Sequence, residues 1–205
     1  YFSKSEDFDY YIKVEETDVK ENNYDVEKIT FLDPCCGSGH ILVYALELFY
    51  NLYLINGYTS ENAIKNILNK NLYGIDIDDR AAQLSILSVI LKAREYDKNI
   101  FNQGIIEKIN IISVQDTNNL NKEIYLYNIK NENNIQTFNY IYNKFIDAKE
   151  FGSLISCDSL DYISLLNELH EQNFIGLDLI EPIIKQAIIL SNKYDIVITN
   201  PPYMG

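Results

Sequence analysis

Residues able to bind a polar ligand follow three short apolar runs of the chain. Asp33 opens the motif DPCCGSG, whose Gly37 and Gly39 allow a tight turn and the close approach of a ligand to the backbone. Asp76 follows NLYGI, and Asp116 stands two residues beyond KINIISV. Carboxylates accept hydrogen bonds from hydroxyl and amino groups. An acid just before the glycine turn suits a cationic ligand and disfavours a pyrophosphate, and the spacing fits neither GxGxxG nor a P-loop.

A fourth motif, NPPY, directly follows the apolar run YDIVIT. Pro201 and Pro202 remove two backbone donors and stiffen the turn, so the carbonyl of Pro201 is presented as a fixed acceptor. Asn200 adds a side-chain carbonyl, and the ring of Tyr203 can lie flat on a base. NPP also occurs as an ordinary turn, but its place after a buried strand and after DPCCGSG and GIDID, in that order, favours a functional site over a plain turn.

Two of the carboxylates have structural alternatives. Asp76 is placed to accept hydrogen bonds from two ribose hydroxyls, although it could instead cap the next helix, a role open also to Asp78 or Asp79. Asp116 could accept from the exocyclic amine of a nucleobase or form an ordinary Asx-turn. The local sequence favours ribose binding for Asp76 and leaves both interpretations of Asp116 open.

Cysteine and histidine are too sparse for a metal or disulfide framework. The three cysteines, Cys35, Cys36 and Cys157, make an odd number, without CxxC spacing. We therefore predict a reduced, cytoplasmic protein with no metal site, in which Cys35 and Cys36 fill small turn positions. Neither His40 nor His170 has another candidate ligand at a spacing typical of metal sites.

The elements that position these residues alternate between strand and helix patterns. That order predicts the α/β class, a parallel sheet with helices on both faces and ligands at the carboxyl ends of its strands. Residues 1–28 are expected to be an acidic lead-in, and residues 118–157 an insertion, irregular over 118–150 apart from one helix. The predicted strands are 28–33, 71–77, 108–114 and 194–199; the predicted helices are 38–56, 59–70, 78–94, 137–148, 158–172 and a last one, with Pro182 in its first turn, to 192.

Composition narrows the class of protein further. The 205 residues are 47% hydrophobic, enough for one packed domain, and no apolar run is long enough for a membrane span. The formal net charge of −13 argues against a basic surface that binds DNA phosphates. The missing initiator Met and the end just after NPPY suggest a piece of a longer protein.

The motifs in order resemble the amino-methylating DNA methyltransferases. FLDPCCGSGHILVYA, GIDIDDRAAQLS and VITNPPYMG are similar to the large adenine methyltransferases of bacteriophage-exclusion systems and of related fused restriction-modification enzymes. The resemblance implies a Rossmann-like class I methyltransferase fold, incomplete here because the strands after NPPY are missing. It also implies methyl transfer to N6 of adenine in DNA.

The resemblance implies S-adenosylmethionine as the cofactor, bound by residues that follow the first three strands. Asp76 would hold the ribose hydroxyls, Ile77 would pack on the adenine ring, and Asp116 beside Thr117 would meet the adenine amine. The methionine part would be wrapped by Asp33, Pro34, Cys35, Gly37 and Gly39.

The resemblance assigns catalysis to the NPPY turn. Asn200 and Pro201 would accept the two amino hydrogens of the target adenine, Pro202 would stiffen the turn, and Tyr203 would stack on the base. Double-stranded DNA would be bound through regions absent from this chain, with other defence-system subunits as further partners and no membrane. The isolated chain is expected to be inactive. A truncated, non-catalytic piece and a methyltransferase for protein glutamine or RNA are the alternatives.

Overall fold

A computed structural model describes residues 24–102, 109–152 and 155–201. Four parallel strands form one sheet in the order β3-β2-β1-β4, which confirms the predicted α/β class. Asp33 at the end of β1 lies opposite Gly74, and Asp76 at the end of β2 lies opposite Ser113. The strands are β1 (Phe31–Asp33), β2 (Leu72–Asp76), β3 (Asn110–Ser113) and β4 (Ile196–Val197).

Helices connect the strands, and no helix among the described residues is both long and apolar enough to cross a membrane. The helix α2 continues into a π-helical turn at Ile67–Asn71, and 3-10 turns lie at Val26–Lys28 and Ile100–Asn102. The α-helices are α1 (His40–Ile55), α2 (Ser60–Asn66), α3 (Asp79–Tyr96), α4 (Lys122–Asn128), α5 (Glu132–Lys144), α6 (Ala148–Phe151), α7 (Tyr162–Glu171) and α8 (Leu177–Ser191).

Two apolar cores lie on opposite faces of the sheet. Neighbouring strand residues point to opposite faces, and Leu72 of β2 enters one core while Ile75 enters the other. The first core is formed with α1, α2 and α3, and the second with α5, α7 and α8. Helices therefore cover both faces, as predicted. Packing on both faces keeps the ends of β1 and β2 next to each other. Fully buried members include Leu42, Leu46, Ile64 and Val89 on the first face and Phe138, Leu165 and Ile184 on the second.

The predicted insertion is more regular than its sequence suggests. We expected one helix over residues 137–148 in an irregular stretch, and that prediction is wrong: the segment forms α4, α5 and α6, with α5 beginning at Glu132. Asn131 caps α5 by accepting from the backbone of Asn133. Glu168 of α7 accepts from the backbone N–H of Lys130 and Asn131 at 2.6 and 3.2 Å. Contacts with residues that are distant in the sequence thus stabilise helices whose own Asn-rich sequence favours turns.

The last helix also begins earlier than predicted. Pro182 was expected in its first turn, but α8 begins at Leu177 behind Gly176, so Pro182 lies inside the helix. Gly176 takes φ 104°, a backbone conformation that glycine adopts without strain. The missing N–H of Pro182 costs one helical hydrogen bond. Burial of the neighbouring residues Ile183 and Ile184 outweighs that cost.

Replacing Asn71 with alanine should lower the free energy of unfolding by about 2 to 4 kcal/mol. The fully buried Asn71 amide donates to the carbonyl oxygens of Val26 and Ile29 at 2.8 and 2.7 Å and accepts from the Tyr53 hydroxyl. The variant leaves these partners buried without their bonds. Urea unfolding measures the loss. Asn56→Ala, at an exposed asparagine, is the matched control and should cost less than about 1 kcal/mol.

Candidate active site at the strand ends

The end of β2 is bonded directly to the glycine turn after β1. Asp76 accepts from the backbone N–H of Gly37 through Oδ2 at 2.8 Å and from that of Asp78 through Oδ1 at 3.0 Å. The N–H of Cys36 donates to the carbonyl of Ile75 at 2.9 Å. Each oxygen of Asp76 keeps acceptor capacity beyond its single bond, because a carboxylate accepts about four hydrogen bonds. The half-buried Asp76 can therefore bind two hydroxyl groups of a ligand without losing the turn.

The helix-cap alternative for Asp76 is excluded by its neighbour. Asp78 is the N-cap of α3 and accepts from the backbone N–H groups of Arg80 and Ala81 at 2.7 and 3.1 Å. Those donors are among the unpaired N–H groups at the start of a helix. Asp76 is thus free of the capping role.

The two glycines of the turn differ in their surroundings. Gly37 has φ 52°, and a Cβ built there meets nothing within 4 Å, so its backbone faces open space. Gly39 has φ 85°, and a Cβ there would lie 2.7 Å from Ser85 Oγ. Gly37 therefore leaves room for a ligand, whereas Gly39 allows α3 to pack closely against the start of α1. Burial raises the pKa of the Cys36 thiol to about 12, which fits a turn-filling role rather than a nucleophile.

Asp33 is a buried carboxylate with one unpartnered oxygen. The residue is 1% exposed, its Oδ1 accepts from the N–H of Cys35 at 3.2 Å, and its Oδ2 has no partner among the described residues. Desolvation by burial raises the pKa of Asp33, and nearby Asp76 acts in the same direction, while a hydrogen bond from the Thr199 side chain opposes them. A cation next to Asp33 would compensate its buried charge.

Asp33→Asn should make the ligand-free protein more stable at pH 7 by on the order of 1 kcal/mol. The folded state raises this pKa, so it binds the proton more tightly than the unfolded chain does. The wild-type free energy of unfolding therefore falls as pH rises from below the unfolded pKa through the raised folded pKa. The isosteric amide of the variant does not ionise, so this pH dependence is absent from its free energy of unfolding. Urea unfolding at several pH values should give a variant advantage that disappears at acidic pH; a less stable variant at pH 7 would contradict the assignment.

The two predicted residues after β3, Asp116 and Thr117, have different surroundings. Asp116 is half-buried, and its Oδ1 is buried without a partner among the described residues, so that oxygen forms no Asx-turn. Thr117 is fully buried, and its hydroxyl donates to the carbonyl of Tyr142 at 2.7 Å. The structure therefore leaves Asp116 available to a ligand but directs Thr117 into the insertion, away from the role expected for it.

A buried glutamine, which sequence reasoning missed, holds the backbone beside Asp116. Gln186 of α8 accepts from the N–H of Gln115 at 2.7 Å and donates to its carbonyl at 2.8 Å. Gln186 is fully buried, 71 residues away along the chain. A polar residue inside an otherwise apolar helix face was its only signal in the sequence.

Ile77 and Asp79 border the site on the side of β2. Ile77 is 51% exposed, which leaves an apolar surface next to Asp76. Burial alone would raise the pKa of Asp79, but hydrogen bonds from Ser113, Lys149 and Gln115 and the charge of Lys149 lower it overall. Asp79 thus stays ionised and bound to its neighbours.

The catalytic turn predicted after β4 begins next to Asp33. The backbone N–H of Ile198 donates to the carbonyl of Leu32 at 3.1 Å, and Val197 of β4 pairs with Leu32 of β1. Asn200 and Pro201 are exposed, while the predicted residues Pro202 and Tyr203 lie outside the described residues. Pro34 and Cys35 lie in the turn after β1, where they were predicted.

Comparison with known proteins connects this arrangement to one family. Residues 70–205 match the family described as Eco57I restriction-modification methylase. "Adenine-specific methyltransferase PglX" of Lacticaseibacillus casei (strain Zhang) is 34% identical over 195 residues, which cover 88% of this chain and 16% of that protein. "Adenine-specific methyltransferase BrxX" of Escherichia coli O9:H4 (strain HS) is 33% identical over 212 aligned positions, which cover 87% of this chain and 17% of that protein. The chain spans only these fractions of the two relatives.

Proposed function

Since this chain belongs to the Eco57I restriction-modification methylase family, we propose that the full-length protein transfers a methyl group from S-adenosylmethionine to N6 of adenine in DNA. The chain would supply the cofactor pocket and the catalytic turn. One observation carries the proposal: the N–H of Ile198 donates to the carbonyl of Leu32 at 3.1 Å, so the predicted catalytic turn, which begins at Asn200, lies beside the predicted cofactor residue Asp33.

The residues at the strand ends fit such a cofactor. Asp76 offers two acceptors to the ribose hydroxyls, and the unpartnered Oδ1 of Asp116 fits an adenine amine. Exposed Ile77 offers an apolar surface to the adenine ring. The buried, negatively charged Asp33 and the open space at Gly37 suit the positively charged methionine part. When bound, S-adenosylmethionine supplies a methyl group activated by its sulfonium.

The catalytic turn would act through its oxygen acceptors. The lone pair of the adenine amine is delocalised into the ring, so the amine is a weak nucleophile. Carbonyl oxygens of Asn200 and Pro201 would accept its two hydrogens and favour the pyramidal form with a free lone pair. The nitrogen becomes positive during the transfer, and the same acceptors stabilise that charge. The target base must leave the duplex to reach this turn.

DNA binding is assigned to the rest of the protein. The formal net charge of −13 on these 205 residues disfavours contact with phosphates, and such contacts supply much of the affinity for DNA. We expect the basic DNA-binding surface, and any contact with other subunits of a defence system, in parts of the relatives' length that this chain does not cover. On this basis the isolated chain would methylate little or no DNA.

The proposal is tested with the full-length protein, DNA and a cofactor labelled in its methyl group. The DNA is digested to nucleosides, which are separated and identified by mass spectrometry. We expect the label in N6-methyladenine and none when the protein is omitted. Label in cytosine, or in protein glutamine or RNA with the DNA unmodified, would refute the proposed substrate.

A further inference from the structure

The end of the insertion is tied to the end of β3. We use "α6 segment" for residues 145–152, which include α6. The backbone N–H of Thr117 donates to the carbonyl of Phe145 at 3.0 Å. Asn118 and Asp147 exchange two hydrogen bonds, from Asn118 Nδ2 to Asp147 Oδ1 at 2.6 Å and from Asp147 N to Asn118 Oδ1 at 3.0 Å. The α6 segment is therefore fixed to the two residues that directly follow Asp116.

The α6 segment also contacts the residues just after β2. Lys149 Nζ lies 3.0 Å from Asp79 Oδ2. A Cβ built on Gly152 would lie 2.8 Å from Cγ2 of Ile77, well inside ordinary van der Waals distance. The α6 segment thus joins the ends of two neighbouring strands and reaches Ile77, the residue whose exposed surface is proposed to contact the cofactor's adenine.

We infer that the α6 segment forms a wall of the pocket for the cofactor's purine, and that Gly152 is the positioning residue that lets Ile77 keep its place beside that wall. This inference rests on the proposed function. It assigns part of the cofactor site to the insertion, a region without any of the sequence motifs.

Packing alone accounts for only part of the α6 segment. Phe145 and Ala148 are fully buried in the second core, so their contribution to stability is plain. Lys149 and Gly152 contact Asp79 and Ile77 instead, at the strand ends. Gly152 has φ 55°, in the left-handed region that favours glycine. Gly152 is the C-cap of α6, where such a glycine commonly ends a helix, so it is its close approach to Ile77 that connects the segment to the strand end.

A wall that is already in place reduces the cost of binding. The hydrogen bonds of Asn118 with Asp147 and of Thr117 with Phe145 order the segment before any ligand arrives. A ligand then loses less affinity to the ordering of loops. The ion pair of Lys149 with Asp79 is substantially exposed and adds little by itself. The contact of Gly152 with Ile77 is therefore the most direct point at which to test the wall.

The test is calorimetric titration of the full-length protein and its Gly152→Ala variant with two probes, S-adenosylhomocysteine and 5′-methylthioadenosine. The added methyl group must displace Ile77, so we expect both probes to bind about tenfold more weakly. Both carry the adenosine, but only the first has the amino-acid end. Loss by a similar factor for both therefore locates the effect at the adenosine, away from the amino-acid end.

Two further variants distinguish a disturbed wall from backbone strain as the cause of weaker binding. Gly57 has φ 84° with nothing within 4 Å of a built Cβ, so Gly57→Ala adds a side chain at a positive φ without a steric clash and should leave both affinities unchanged. In an Ile77→Ala background the methyl group that Gly152→Ala would meet is gone. The added effect of Gly152→Ala should then shrink to less than about threefold.

Each outcome is decisive. Wild-type binding with unchanged affinity in a folded Gly152→Ala variant would overturn the inference and leave the proposed function intact. Loss for S-adenosylhomocysteine alone would also overturn it, because the effect would then lie at the amino-acid end. If the wild type bound neither probe, both the proposed function and the inference would fail. Circular dichroism confirms that the variants are folded.

Discussion

Replacing Asp76 with alanine is expected to weaken the binding of S-adenosylmethionine by at least about 100-fold. The variant removes the acceptors proposed for both ribose hydroxyls. It also removes the bonds from Gly37 and Asp78 that hold the glycine turn against the end of β2. Calorimetric titration of the full-length protein measures the loss.

Asp78→Ala is the matched control for Asp76. It removes a carboxylate two residues away that caps α3, so it should cost about 1 kcal/mol of stability. Because the cap faces the helix, cofactor affinity should change by less than about threefold in this variant. Equal losses of affinity in the two variants would mean that Asp76 acts only by holding the local fold.

Replacing Asn200 with alanine is expected to lower the single-turnover rate of methyl transfer by at least about 100-fold. The variant lacks the side-chain acceptor that would stabilise the developing positive charge on the adenine nitrogen. Cofactor affinity should stay near the wild-type value, since the acceptors proposed for the cofactor follow the other three strands. Rapid mixing with DNA and labelled cofactor measures the rate.

Asn62→Ala provides the comparison for the Asn200 variant. Asn62 is an exposed asparagine on α2, a helix of the first core, and its loss should change the rate by less than about twofold. An Asn200→Ala protein that still methylates at more than about a tenth of the wild-type rate would exclude the assigned role of the turn.

The strand ends were predictable because their signals are local. An apolar run followed by an acid marks Asp33 and Asp76, and parallel strands bring such ends to one edge of the sheet. The capping pattern around Asp78 is equally local, and the structure confirms the start of α3 there. The family indicated by these motifs is confirmed by the match over residues 70–205.

The insertion was not predictable in the same way. The buried Phe138 and Ile141 of α5 stand among asparagines, which favour turns and hide the helical period. What stabilises the helix start is Glu168, whose carboxylate also accepts from Asn134 at 2.7 Å. The two residues are 34 positions apart, so no short window of sequence contains the interaction.

The direction of the Thr117 side chain could not be predicted from the sequence for a similar reason. The resemblance implied that Thr117, beside Asp116, would meet the adenine amine of the cofactor. The partner of the Thr117 hydroxyl is the carbonyl of Tyr142, which belongs to α5 of the insertion. Gln186 likewise acquires its role from a backbone segment 71 residues away. Local chemistry identifies which residues can bind, whereas the fold decides which of them face the ligand.

The backbone hydrogen bond from Ile198 to Leu32 joins the ends of two strands that the sequence presents as separate motifs. On the proposed function, a methyl donor that fixes Asp33 would also fix the strand end that carries Asn200. Coupling of this kind is reciprocal, so a flipped base held by Asn200 would strengthen donor binding by the same factor. The enzyme would then bind its two reactants cooperatively, and the product pair, with its charge on sulfur lost, would lose that mutual support and separate.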